Sequence, residues 1–192
     1  RQRQDRSRLR RKGSVNMPDQ AEADEILDLV DDNDSVIGRI RRGDMNTLVP
    51  RGGKYVRAAD IFIMRSDGKI WVPVRGMHKS IAPGGLDFSV GGHVASNETY
   101  EETAVRELSE EAGITVNSNE LELIAIIAPR ERHHSHLYLL RTDTEPSLSY
   151  EHTSGNWMNP DELQKVLETG TPAKSSLLPR LELLKTYLSD AE

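Results

Sequence analysis

An α+β fold, an α/β sandwich in one domain, is predicted by short β-prone runs that alternate with two or three helical segments in a chain of 192 residues. That length suits one well-packed domain with ornaments and is short for two ordinary ones. The composition agrees, with 36% hydrophobic and 29% charged residues, which excludes both a membrane protein and a wholly disordered chain. The longest apolar run, Leu123 to Ala128, has six residues, against the roughly 20 of a membrane-spanning helix. With no cysteine, disulfides, thiolate metal sites and a cysteine nucleophile are all excluded, so the fold must rest on its core. No apolar signal segment opens the sequence, and a cytoplasmic location is expected.

The elements follow in order. Ile26 to Val30 and Val36 to Ile40 flank Asp31-Asp32-Asn33-Asp34, two β-prone runs about an Asx-rich turn. Val56 to Met64 and Lys69 to Val74 flank Ser66-Asp67-Gly68, a second hairpin signal. Gly76 to Gly85 reads as loop, and Leu86 to Val90 as a short strand running into Gly91-Gly92. A helix is predicted from Thr99 to Ala112, with Thr99 and Glu102 at capping-box spacing and Gly113 placed to end it. Glu120 to Ala128 and His136 to Arg141 are strand-like. Asn159-Pro160-Asp161-Glu162 supplies an N-cap and a first-turn proline for a short helix. Leu177, Leu181, Leu184 and Leu188 form one apolar stripe on a last helix.

Charge divides unevenly. Residues 1–16 carry seven Lys or Arg and one Asp, while the remainder carries 18 basic and 30 acidic residues. A basic, flexible extension over residues 1–20 and a single domain over 21–192 are expected, with Met17 as the natural start. The other reading makes residues 1–12 an electrostatic arm for RNA ends; nucleic acid is not the expected partner.

The dense chemistry lies between Gly92 and Ile114. On a helix, Glu107, Glu110 and Glu111 are related by i, i+3 and i+4, so three carboxylates crowd onto one face. Their repulsion calls for a partner, and a hard divalent cation such as Mg²⁺, which bridges carboxylates to phosphates, supplies one. The glycine pair Gly91-Gly92 allows backbone geometry and close approach that other residues resist. Without further pattern, a solvated acidic helix face would serve equally well.

The full spacing goes further: glycine, five residues, Glu, seven residues, Arg-Glu, an aliphatic, any residue, Glu-Glu, any residue, glycine, an aliphatic. Gly92, Glu98, Arg106, Glu107, Leu108, Glu110, Glu111, Gly113 and Ile114 fill every specified position. The chain thereby resembles the Nudix hydrolase superfamily, and Trp157 to Leu163 resembles the family's tryptophan-then-helix segment. The resemblance implies an α/β/α sandwich with a mixed sheet, the box forming loop-helix-loop. It also implies Mg²⁺- or Mn²⁺-dependent hydrolysis of a nucleoside diphosphate derivative or another small organic diphosphate. By it, Glu107, Glu110, Glu111 and Arg106 form the catalytic group, and Glu107 or a later acid is the candidate base. Metal would be held by the three glutamates and the Gly92 carbonyl. Arg106 would orient the box carboxylates by pairing with Glu98, and Glu98 and Gly113 would be structural.

A narrower resemblance, over residues 26 to 190, is to the type 1 isopentenyl diphosphate isomerase branch, carried by Val30 to Gly38, Arg57-Ala58 and Phe88 to Val94. It implies that Arg75 and Lys79 grip the diphosphate, a fork and a point charge suited to phosphate. His93 matches the histidine that follows the glycine in that branch and joins the substrate-binding group. The isomerase cysteine is replaced by Gly91, and the later acidic pair by His134 and His136, so isomerase activity is the alternative and hydrolysis the main reading. His133, His134 and His136 suggest a transition-metal site or a phosphate contact. Glu131 and Glu151 are the candidates for a carboxylate outside the box. Trp71, Phe88, Tyr138 and Trp157 could stack on a base or belong to the core. A non-catalytic diphosphate-binding module is the remaining reading, disfavoured because all three box glutamates are present.

Overall fold

The computed structural model describes residues 22–48, 52–129 and 132–190. The basic extension expected over residues 1–20 and the candidate Glu131 therefore lie outside the described residues. Strand β1 (Ile26–Val30) pairs antiparallel with β2 (Val36–Arg41). Their turn forms because Asp31 Oδ1 accepts hydrogen bonds from the amides of Asn33 at 2.8 Å and Ser35 at 3.0 Å. A 3₁₀ turn, Arg42–Thr47, follows.

The main sheet contains β3 (Val56–Met64), β4 (Ile70–Arg75), β5 (Val90–His93), β6 (Leu121–Ile127), β7 (His133–Arg141) and β8 (His152–Met158). Its order is β6-β7-β3-β4-β8, with β5 also paired to β3. The sheet is mixed: β3 and β7 run parallel and the other pairs antiparallel. Alternation along β3 sends Ala59, Ile61 and Ile63 to one face and Phe62 and Met64 to the other.

Helix α1 (Tyr100–Ala112) covers the first face, burying Ala104, Leu108 and Ala112 beside Tyr138 and Leu140. Its capping box is complete: Thr99 Oγ1 accepts from the Glu102 amide at 3.1 Å, and Glu102 Oε2 from the Thr99 amide at 2.8 Å. Gly113 closes it at φ +67°, where a side chain would be strained. Helices α2 (Pro160–Glu168) and α3 (Leu177–Asp190) cover the second face through Leu163, Leu177, Leu181 and Leu184. Each of these leucines is fully buried, worth about 1.5–3 kcal/mol apiece against exposure. The α/β/α layering agrees with the sequence. No described helix is long and apolar enough to cross a membrane.

Three elements differ from expectation. The strand expected over Leu86 to Val90 lies instead at Val90–His93, with the glycine pair inside it. There it pairs Gly91 and Gly92 with Asp60 and Ala59, so the glycines at which the strand was expected to end are ladder residues. β7 begins at His133 rather than His136. β8 was not anticipated; its sequence HTSGNWM has no apolar alternation, and it is a sheet edge.

The main sheet splits. β4 is registered to β3 only at Met64–Ile70, whereas β5 takes the place beside Ala58 to Ile61. Ser89 spans the fork: its buried hydroxyl donates to the Trp71 carbonyl at 2.6 Å and accepts from the Ile63 amide at 2.9 Å. Ser89→Ala leaves two buried backbone groups without partners. The expected outcome is a loss of about 1–3 kcal/mol of stability, read as a lower urea midpoint at unchanged m.

Candidate active site

β5 carries the glycine pair to the start of the turn that leads into α1, and Glu98 fixes that turn. Its Oε2 accepts from the Ala95 amide at 3.2 Å and from Thr103 Oγ1 at 2.7 Å. Its two oxygens also receive Arg106 Nε at 2.9 Å and Nη2 at 3.0 Å, a bidentate fork. The same guanidinium reaches Glu107 at 2.7 Å, Glu110 at 3.3 Å and the His93 carbonyl at 3.3 Å. Burial works against ionising Glu98, yet these bonds hold its carboxyl below the usual carboxylate range. Arg106 thus ties the box helix to β5 and neutralises part of the acidic cluster.

The remaining acids are less compensated. Glu107 is only 8% exposed, and burial, with Glu110 adding to it against the pull of Arg106, pushes its carboxyl up to about 7. A Cβ built on Gly92 would overlap the Glu107 carboxylate, so glycine is required for this close approach. Glu111 accepts from the Gly91 amide at 3.3 Å. Burial, then the charges of Glu107 and Glu151, raise its carboxyl well above the ordinary value. Glu151 lies within charge–charge reach of Glu111 and pairs with Lys79 Nζ at 2.9 Å. Burial opposes its ionisation, but Lys79 and Glu111 together hold Glu151 below the usual range. Glu110 is the exposed member, its side chain 60% accessible.

The fork between β4 and β5 brings cations to these acids. Arg75, at the end of β4, is buried against Asp87 and donates Nε to the Ile81 carbonyl at 2.8 Å, fixing the loop that carries Lys79. Lys174 was not singled out from sequence. It arrives because Ala173 bridges to Leu86, and its Nζ lies 3.7 Å from Asp87 and 4.0 Å from the Phe88 ring centroid. Only the fold supplies that signal, since the loop preceding α3 carries no phosphate-binding pattern.

His93 points to the α3 side of the sheet, its Nε2 3.2 Å from Nε2 of His133. Burial, His133, Arg42 and Lys174 all lower its pKa, favouring the neutral ring. His134 and His136 lie on the other side of β7 from His133. The His134 Nε2 meets the Asp31 carbonyl at 2.9 Å, and His136 stacks on Tyr100 with centroids 3.6 Å apart. The three histidines therefore do not converge, and among the described residues no group of three His, Asp or Glu side chains forms a ready metal cage. Trp71, Phe88 and Tyr138 are buried in the core, and Trp157 packs on Trp71 with centroids 5.4 Å apart.

The donors at β5 nevertheless suit a hard cation. Glu107, buried, and Glu111, half-buried, are mutually repelling oxygen donors, and Gly92 leaves no Cβ between Glu107 and the strand. Mg²⁺ or Mn²⁺ matches this chemistry; a thiolate-seeking metal does not.

Comparison with known proteins agrees. A family model described as NUDIX domain matches residues 54–181. The uncharacterized Nudix hydrolase all7351 of Nostoc is 37% identical over 163 residues, covering 83% of this chain and 95% of its own. The crystal structure of DR0079 from Deinococcus radiodurans superposes with a TM-score of 0.75 at 33% identity, covering 82% of this chain and 98% of that one. Isopentenyl-diphosphate Delta-isomerase 1 of Photorhabdus laumondii is 26% identical over 148 residues, covering 72% of this chain and 82% of its own, a weak likeness to that branch. Because the matched span contains β3 to β8, the box helix and every carboxylate gathered around Gly91 and Gly92, the chain belongs to the Nudix family and is a pyrophosphohydrolase.

Proposed function

We propose that the protein hydrolyses the phosphoanhydride of a nucleoside diphosphate derivative or another small organic diphosphate, with Mg²⁺ or Mn²⁺ as cofactor. The observation that carries this reading is a pair of undercompensated carboxyls, buried Glu107 and half-buried Glu111, set against Gly92 and Gly91. Glu107, Glu110, Glu111 and the Gly92 carbonyl would hold the ion, which supplies positive charge for the diphosphate and acidifies water. Lys79 and Lys174 border the acids and offer point charges to the anionic substrate. Arg75, engaged by Asp87 and Ile81, acts by fixing the loop from which Lys79 projects. Glu151 is the carboxylate outside the box, and with its pKa held down beside Glu111 it stands ready to accept the proton of the attacking water.

Isomerase chemistry has no support at the position that matters. Gly91 stands where that branch carries cysteine, and a Cβ there would overlap the Phe88 ring. A side chain at residue 91 therefore needs Phe88 to move.

The test is phosphate release from a panel of nucleoside di- and triphosphates, nucleotide sugars, dinucleoside polyphosphates and isoprenoid diphosphates, with Mg²⁺ or Mn²⁺. Glu111→Gln is expected to lower kcat by about 100-fold or more while the fold persists; a variant at wild-type rate contradicts the assignment.

Gly92→Ala is an independent check. The added methyl meets the movable end of Glu107 rather than backbone, so thermal stability is expected to change little. Turnover is expected to fall roughly 100-fold as that carboxylate is displaced. Circular dichroism and steady-state kinetics on one preparation read both quantities.

A further inference from the structure

The hairpin of β1 and β2 lies wholly ahead of residue 54, where the family match begins, yet it grips the corner that leads into the box helix. The Ser96 amide donates to the Ile26 carbonyl at 2.8 Å, and Leu27 bridges to Ala95. Leu27 is fully buried and packs with Leu48 and Val56, which seats the hairpin on the start of β3. At the hairpin turn, Asp34 accepts from Arg57 Nε at 2.7 Å and from the hydroxyl of Tyr100, the first residue of α1, at 3.1 Å.

Asp28, the next residue along β1, is 7% exposed, and both of its oxygens face the corner. Oδ1 accepts from Ser96 Oγ at 2.7 Å and Oδ2 from the Asn97 amide at 3.3 Å. Asn97 is left-handed, at φ +68°, a region that Asn visits more readily than most side chains but that still needs support. Arg39 of β2 adds to that support, its Nη2 donating to Asn97 Oδ1 at 3.1 Å while its Nε lies 3.6 Å from Asp28. The Arg39 side chain is 59% exposed, so its ion pair adds little. The charge-assisted bonds of the buried carboxylate are the strong part of the clamp. Glu98 follows directly, and the corner sets the direction in which it leaves. Glu98 receives the Arg106 fork, and that guanidinium meets Glu107 and the His93 carbonyl.

We infer that Asp28 is a positioning residue of the carboxylate site: by clamping Ser96 and Asn97 from outside the box, it sets the Glu98–Arg106 fork and, through it, the placement of the metal-holding glutamates. It acts through the corner and the fork, not as a ligand. The inference rests on the hydrolase reading above in taking those glutamates as ion ligands; the clamp on the fork stands apart from that reading.

The experiment measures two quantities on the full chain. One is the Kd for Mn²⁺, from the electron paramagnetic resonance signal of the free ion. The other is exchange of the Arg106 Nε proton with water, by NMR without metal. Asp28→Ala is expected to raise the Kd about tenfold, as loss of support behind a ligand does, and to speed Arg106 exchange about tenfold. Asp28→Asn keeps an acceptor for the Asn97 amide and offers a donor to Ser96 Oγ, and is expected to stay within about threefold of wild type in both. Ser96→Ala removes one of the two bonds and leaves the carboxylate in place. It should move both readouts the same way by a smaller factor, and it decides the matter if Asp28→Ala does not fold. Leu188→Ala, on α3 at the far face of the sheet, removes partly buried apolar surface without touching the corner and should move neither. Wild-type values of both quantities in folded Asp28→Ala, or in Ser96→Ala where that variant decides, overturn the inference. So does a shift of equal size in Leu188→Ala, which would make the effect one of general stability. If the wild type binds no Mn²⁺, the hydrolase reading fails and Arg106 exchange alone decides the clamp: faster in Asp28→Ala supports it, unchanged overturns it.

Discussion

The bidentate pairing of Arg106 with Glu98 is the interaction on which the site depends. Helix α1 presents Glu107, Glu110 and Glu111 on one face, an arrangement that repels itself. Arg106 offsets part of that repulsion by contacting Glu107 and Glu110, while Glu98 keeps the guanidinium from swinging away. Glu98 is in turn held by Thr103 and the Ala95 amide, which belong to the helix and to its entry turn. The fork also reaches the His93 carbonyl on β5. One side chain thus fixes the distance between the acidic helix and the glycine strand, and the fixed gap leaves buried Glu107 and half-buried Glu111 poorly neutralised.

The second constraint is the split of the sheet. β5 displaces β4 from the N-terminal half of β3, and Ser89 satisfies the backbone groups freed at the fork. The opening admits the loop bearing Lys79 and the segment bearing Lys174, so positive charge approaches the acids from outside the box. Arg75 and Asp87, paired within the fork, hold the two loops together. The charges meet in pairs there, Glu151 with Lys79 and both Glu107 and Glu110 with Arg106, so acids of the box helix and cations of other segments share one place.

Much of this was legible from local pattern. The capping box at Thr99, the stop at Gly113, the first-turn proline at Pro160 and the leucine stripe of α3 all write helices into short stretches of sequence, and the structure places them there. The box spacing brought Gly92, Glu98, Arg106 and Glu107 together on paper as they are in space. What local pattern does not encode is pairing between distant segments. β5 lies past its expected position, since the β-prone run ends at Val90 whereas pairing with β3 carries the strand through Gly91 and Gly92. β8 escaped because an edge strand containing Gly155 lacks alternation; that glycine is needed where the Trp71 ring packs. Lys174 depends on a bridge between Leu86 and Ala173, 87 residues apart in sequence. His134 and His136 share a strand face as expected, yet Asp31 and Tyr100 engage them separately.

If the undercompensated carboxyls beside β5 bind a divalent cation, thermal unfolding as a function of Mn²⁺ or Mg²⁺ concentration reads that binding without a substrate. Binding to the native state alone adds about 2.7 kcal/mol at a hundredfold excess over Kd, a rise of several degrees in Tm for a chain of this size. The account predicts that rise in the wild type and its loss in a Glu107→Gln/Glu111→Gln double variant. An unchanged Tm in the wild type, or an equal rise in the double variant, would contradict it.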